Sequence, residues 1–129
     1  MGRKRLYTPE EAYTRIMERS KQYLRNNQNV RLYNSAKQRA EKQKIGFDLT
    51  IEDIVIPTHC PYLGVEITNI MGQGRIPTNA SIDRIDSTKP YTKDNIQIIS
   101  DLANRMKQDA TKIELITFAE NILRMYNKE

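Results

Sequence analysis

SIDRIDSTKPYTKDNIQIISDLANRMK, residues Ser81 to Lys107, is the stretch whose reading decides the fold. Apolar and polar residues alternate in ASIDRID and again in NIQII, which predicts two short strands joined by the turn-rich STKPYTKD. Ser100 is placed to cap a helix running to about Asp109. On this strand, loop, strand, helix frame, Asp83 and Asp86 stand three residues apart, Asn95 and Asn104 nine apart, and there is no histidine or cysteine. Each residue alone has an ordinary structural reading, since Asp ends strands and Asn fills loops. Their conjunction in a basic chain points to a site.

Working outward, Thr8-Pro9-Glu10-Glu11 carries an N-cap, a proline at the first helical position and a capping-box glutamate, predicting a helix to about Arg25. RNNQN breaks it. Val30 to Lys44 reads as a second helix and the most basic stretch, with Arg31, Lys37, Arg39, Lys42 and Lys44 ahead of a stop at Gly46. FDLTIEDIVIP holds a second capping signal, Thr50 to Asp53, and Pro57 ends the short helix it starts. CPYLGVEITNI reads as turn and strand, and Gly72, Gly74 and Pro77 mark a flexible loop. Beyond the quoted stretch, Thr111 and Glu114 cap a last helix. Its Ile113, Ile116, Phe118, Ala119, Ile122, Leu123 and Tyr126 recur at helical spacing and are expected to face the core.

A chain of 129 residues has the length of one domain, here 1–129. It divides into a basic helical region 1–46, a core 47–109 and a buttressing C-terminal helix 110–129. With 38% hydrophobic residues, no Trp and 29% charged residues, the core must be small. A net charge of +5 fits an anionic partner such as nucleic acid. The single cysteine, Cys60, excludes an intrachain disulfide and a zinc site built from several thiolates, so no structural zinc is expected; Cys60 is expected in the core. No apolar run is long enough to span a membrane and MGRKRLYT lacks the apolar segment of a signal peptide, so a cytoplasmic protein with no membrane partner is expected.

The order of elements from Cys60 to Lys107, with DRID, KPYTKDN and NRMK, resembles the ββα-metal finger of HNH and endonuclease VII-like nucleases, and in particular small HNH proteins common in phage genomes. The spacing from Asn95 to Asn104 is also similar to that in the HNH domain of the CRISPR effector nucleases. The resemblance implies an α+β fold in which a ββα-metal finger is flanked by N-terminal helices and a C-terminal helix, and a setting in the host cytoplasm if phage-encoded. It implies that Asp83 and Asn104 hold one divalent cation, Mg2+ or Mn2+, while Asn95 braces the loop between the strands. Magnesium suits such a site because it prefers oxygen and takes only one or two protein carboxylates beside substrate phosphate. A metal held in this way polarises the scissile phosphate. The implied function is a metal-dependent endonuclease acting on DNA, expected double-stranded, by phosphodiester hydrolysis.

One position departs from the family. The resemblance implies a histidine base directly after the strand acid, where this chain has Arg84, which stays protonated and cannot take a proton. In endonuclease VII-like members the base lies three residues after the acid, here Asp86; activation of the water by the metal alone is the rival. Arg84 is then expected to grip a phosphate. His59, in PTHCPYLG, reads as a solvated or packed histidine, with the base as its alternative role. Arg31, Lys37, Arg39, Lys42, Lys44, Arg84, Arg105 and Lys107 are the candidate nucleic-acid contacts, against a solvated face for the helical set. The rival function is a non-catalytic nucleic-acid-binding protein with a degenerate HNH fold. Substrate sequence, DNA versus RNA and oligomeric state stay open at this stage.

Overall fold

The structure, a computed structural model, describes residues 6–127, with side chains throughout except at positions 24 and 25. Residues 1–5 and 128–129 of the expected 1–129 domain lie outside the described residues. The architecture is α+β, with four α-helices and two two-stranded sheets among the described residues. None of these helices is long and apolar enough to cross a membrane.

Helix α1 (Pro9–Asn26) begins where its capping box places it: Glu11 N donates to Thr8 Oγ1 at 3.2 Å and Thr8 N to Glu11 Oε2 at 2.8 Å. Helix α2 (Gln28–Gln43) starts earlier than its sequence pattern suggests and ends differently. Lys44, not a glycine, adopts the left-handed conformation at its C-terminus, with φ of 56°. Gly46 serves the next step instead. A Cβ there would stand 3.0 Å from Pro90 Cβ, so its absence lets the backbone run close enough for Tyr91 N to donate to Gly46 O at 2.9 Å. That contact opens a short parallel pair, β1 (Phe47–Asp48) with β3 (Tyr91–Thr92), which the sequence pattern does not reveal. Tyr33, Phe47 and Tyr91 stack edgewise and tilted around it, with centroids 5.4 and 5.8 Å apart. Thr50 and Asp53 form their capping box on a 3-10 turn, Ile51–Asp53, that ends ahead of Pro57.

The two strands of the quoted stretch are β2 (Ala80–Arg84) and β4 (Ile96–Ser100), paired antiparallel with Ile82 opposite Ile98 and Asp83 opposite Gln97. Alternation divides their side chains between two faces. Ala80, Ile82 and Ile98 enter the main core with Leu32, Ala36 and Ala40, three α2 residues spaced at i, i+4 and i+8. The other face carries Ser81, Asp83, Gln97 and Ile99, and Ile99 packs with Cys60 and with Ala103 of α3 (Asp101–Lys107). Ser100 caps α3, its Oγ accepting from Ala103 N at 3.1 Å. The pair β2/β4 is therefore sandwiched between α2 and α3, and among the described residues β2 pairs with no strand but β4, which leaves its other edge free of a neighbouring strand.

Two expectations need correction. CPYLGVEITNI forms a turn, with Gly64 N donating to Cys60 O, and isolated bridges His59–Glu66 and Thr68–Asn79 rather than a continuous strand. The last helix, α4 (Lys112–Tyr126), is capped by Thr111 and Glu114 as expected, but it holds no buried residue. Ile113 is 76% and Phe118 64% exposed, so the stripe assigned to the core borders an open apolar groove of about 570 Å3 with Tyr62, Leu63, Ile85 and Met106. Helical periodicity reports an apolar face and says nothing of what covers it.

Candidate functional site

Ser81 and Asp83 share the face of β2 that looks toward α3, and residues three apart on a helix lie above one another. This geometry brings Asn104 and Lys107 over the strand. Asn104 Nδ2 donates to Ser81 Oγ at 2.8 Å, which leaves the amide oxygen available to a cation. Lys107 Nζ lies 3.2 Å from Asp83 Oδ2 and 3.4 Å from Oδ1, and also donates to Arg84 O at 3.2 Å. Gln97 Nε2, across the strand pair, donates to Asp83 Oδ2 at 2.9 Å. Asp83 is 7% and Lys107 3% exposed. Lys107 therefore cannot be the exposed phosphate contact the sequence suggests: it is a buried cation seated on the strand acid.

Asp86 and Asn95 occupy the connection between β2 and β4. Asn95 Oδ1 accepts from Asp86 N at 2.9 Å, and its Nδ2 donates to Asp86 O at 3.0 Å and Pro90 O at 2.9 Å. One amide thus holds both limbs of the loop. The Asp86 carboxylate closes an Asx turn, with Oδ1 accepting from Thr88 Oγ1 at 2.6 Å and Thr88 N at 2.9 Å. The Thr88 hydroxyl first, then the Thr88 amide, and then the charges of Lys89 and Arg84 hold its pKa below the ordinary carboxylate range. A carboxylate so engaged is a poorer proton acceptor.

The free edge of β2 opens into a cleft of about 230 Å3 whose walls include Arg39, Asp83, Arg84, Tyr91, Asn104 and Asp109. Asp86 and His59 are not among its lining residues. His59 is exposed, its Nδ1 3.1 Å from Thr58 Oγ1. Arg39 crosses from α2 to donate to Ile82 O at 3.3 Å, and Arg84 donates to Lys89 O at 2.9 Å with its guanidinium 5.1 Å from the Tyr91 ring centroid. Arg31 donates to Asn69 Oδ1 at 2.8 Å, and Arg105 pairs with Asp101 at 3.0 Å. Lys37, Lys42 and Lys44 are exposed and line neither this cleft nor its neighbour. The basic helix therefore splits: Arg31, Ser35 and Arg39, at i, i+4 and i+8, face the β2 edge, while the lysines face solvent.

The oxygen donors Asp83 and Asn104 in one cleft fit a hard divalent cation, which needs few carboxylates. No cluster of three or more His, Cys, Asp or Glu suited to a metal exists among the described residues, so any such ion would be held loosely. Lys107 would share Asp83 with such an ion. The pairing of Lys107 with Asp83 and the entry of Asp109 into the cleft were missed at the sequence level. The three-residue step from Asn104 to Lys107 was the available signal for the first. Asn79 was missed too: its side chain bonds Thr68 Oγ1 and both Ile70 backbone groups, tying the glycine loop to the start of β2. In comparisons with known proteins, no family model, curated protein or solved structure matches the chain.

Proposed function

We propose that the protein is a metal-dependent DNA endonuclease of the HNH kind, with β2, β4 and α3 as its ββα-metal finger. The observation that carries this reading is the convergence of Asp83, Asn104, Arg39 and Arg84 on one cleft at the free edge of β2. Asp83 and Asn104 are the cation ligands. A divalent cation bound there supplies charge stabilisation for the phosphate and lowers the pKa of water. Arg39 and Arg84 hold the phosphate from two elements, and Asn95 fixes the loop that aims Arg84. Asp109 is the second carboxylate lining the cleft and makes no hydrogen bond or ion pair with another described residue, whereas Asp86 lies outside the cleft and is engaged by Thr88; this supports Asp109 over Asp86 as the acceptor of the attacking water's proton.

A second reading has its own support. Lys107 pairs with Asp83 at 3.2 Å and so balances its charge, which is compatible with a protein that uses the fold to bind without cleaving. Cleavage of plasmid DNA separates the two. The nuclease reading expects cleavage with Mg2+ or Mn2+, none with chelator, and a loss of at least about a hundredfold in Asp83→Asn and Asn104→Ala with DNA binding retained. Metal-independent binding with no cleavage under any divalent ion would establish the binding protein instead.

A further inference from the structure

A second cleft, of about 220 Å3, follows the first along the same strand edge. Its walls include Arg31, Ser35 and Arg39 of α2, Arg75 of the glycine loop, Ala80 to Ile82 of β2, and one carboxylate, Asp101 of α3, so that three cations face a single anion. Arg39 and Ile82 belong to both clefts. Three guanidinium groups thus converge on one small polar space, and only Arg75 has a carboxylate partner among the described residues: its Nε lies 3.2 Å from Asp101 Oδ1, while Asp101 Oδ2 also takes Arg105. Arg31 bonds a neutral amide, and its Nε is buried with no hydrogen-bond partner among the described residues. Burial pulls the Arg31 pKa down, yet a guanidinium stays protonated in any accessible pH range, so a half-buried positive charge remains there with no carboxylate partner among the described residues. The space asks for an anion, and planar guanidinium forks match phosphate oxygens.

We propose that this cleft binds a backbone phosphate of the same nucleic-acid strand whose scissile phosphate lies in the Asp83–Asn104 cleft, with Arg75 and Arg31 as its own cations and Arg39 shared between the two. The inference rests on the nuclease reading and adds a register to it. The mid-points of the two β2 segments, Ser81 and Asp83, are two residues apart, about 6.6 Å along a strand. At about 3.4 Å of axial rise per nucleotide, that distance spans about two nucleotide steps of one strand. The strand would therefore run along the free edge of β2.

Arg75 is the residue to test, because its side chain is exposed and its removal leaves Asp101 paired with Arg105. Binding of fluorescein-labelled duplex DNA is followed by anisotropy in EDTA. Arg75→Ala is expected to weaken binding roughly tenfold at 150 mM salt, the scale of one charge-assisted contact. It is expected to reduce the slope of log affinity against log salt by about 0.9. Arg124→Ala removes an equal charge from the exposed surface of α4, which lines neither cleft, and is expected to change affinity less than twofold, and Arg75→Lys to restore part of the loss. Equal affinities in the wild type and Arg75→Ala overturn the cleft. So does Arg75-dependent binding of pyrophosphate, read by phosphorus NMR, accompanied by Arg75-independent DNA binding, because the ligand would then be a free phosphate. Cleavage assays on the same variants keep the two readings apart: Arg75-dependent binding with no metal-dependent cleavage supports the phosphate cleft and removes the nuclease, whereas cleavage with unaltered affinity removes the cleft alone.

Discussion

Lys107 carries a charge into a position that is almost closed to water, and Asp83 is its one carboxylate partner among the described residues. Desolvating two ions offsets most of their attraction, so the pair adds little net stability, but removing one member strands the other. Lys107→Met is therefore expected to cost about 3–5 kcal/mol. Asp83→Asn is expected to be milder, because an amide oxygen there can still accept from Lys107, which keeps its bond to Arg84 O. The double variant is expected to cost less than the sum of the two, with a coupling of about 0.5–3 kcal/mol by urea denaturation. Additive losses would mean that the two side chains do not share a site in solution. Asp86 presents the opposite case, an exposed carboxylate engaged by the Thr88 hydroxyl and amide. Its lowered pKa means that the folded state prefers the ionised form, so its contribution is complete above the unfolded value and is lost as pH falls through the folded one. Relative to the wild type, Asp86→Asn is expected to be less stable at neutral pH, with the gap closing in thermal melts taken below the ordinary carboxylate range. Cleavage by Asp86→Asn is expected to stay near native; a loss of a hundredfold or more would return the base to Asp86.

Elements whose signals are local were legible from the sequence. Thr8, Ser100 and Thr111 each cap the helix they were expected to cap, because a cap is a hydrogen bond within four residues and its chemistry is written in adjacent letters. Alternation in ASIDRID and NIQII gave β2 and β4 for the same reason. Pairings between distant segments were not legible. The parallel contact of Phe47 with Tyr91 depends on Gly46 approaching Pro90, and two residues carry no period to read. The apolar side of α4 was readable but its environment was not: covering a helix is a tertiary event, and here the stripe borders an open groove. The candidate site divides along the same line. Asp83, Asn95 and Asn104 stood out by type and spacing, whereas the burial of Lys107 follows only from the short α3 lying across β2, which turns a basic residue from surface to core. Asp109 escaped notice because it lies past the end of α3, where the chain reverses at Gln108 with φ of 48°.

For the whole molecule, the excess of positive charge and the two arginine-lined clefts act over different distances. A net charge of +5 draws a polyanion from afar, and Lys37, Lys42 and Lys44 on the solvent side of α2 contribute to that field without lining either cleft. Such exposed charges are screened beyond about 8 Å at physiological ionic strength, so they speed encounter at low salt more than they hold the complex. Arg39 and Arg84 sit in the cleft wall, where a bound phosphate would be partly shielded from water, and their loss falls on dissociation. Replacing Lys37, Lys42 and Lys44 together by Ala is expected to lower the association rate several-fold at 20 mM salt and to leave it nearly unaltered at 300 mM, with the dissociation rate within about twofold throughout. Arg84→Ala is expected to do the reverse, raising the dissociation rate roughly tenfold with little change in association. Stopped-flow fluorescence with labelled duplex measures both rates. If the triple lysine variant instead releases DNA as fast as Arg84→Ala, the solvent side of α2 is itself a contact surface, and the strand does not follow the edge of β2.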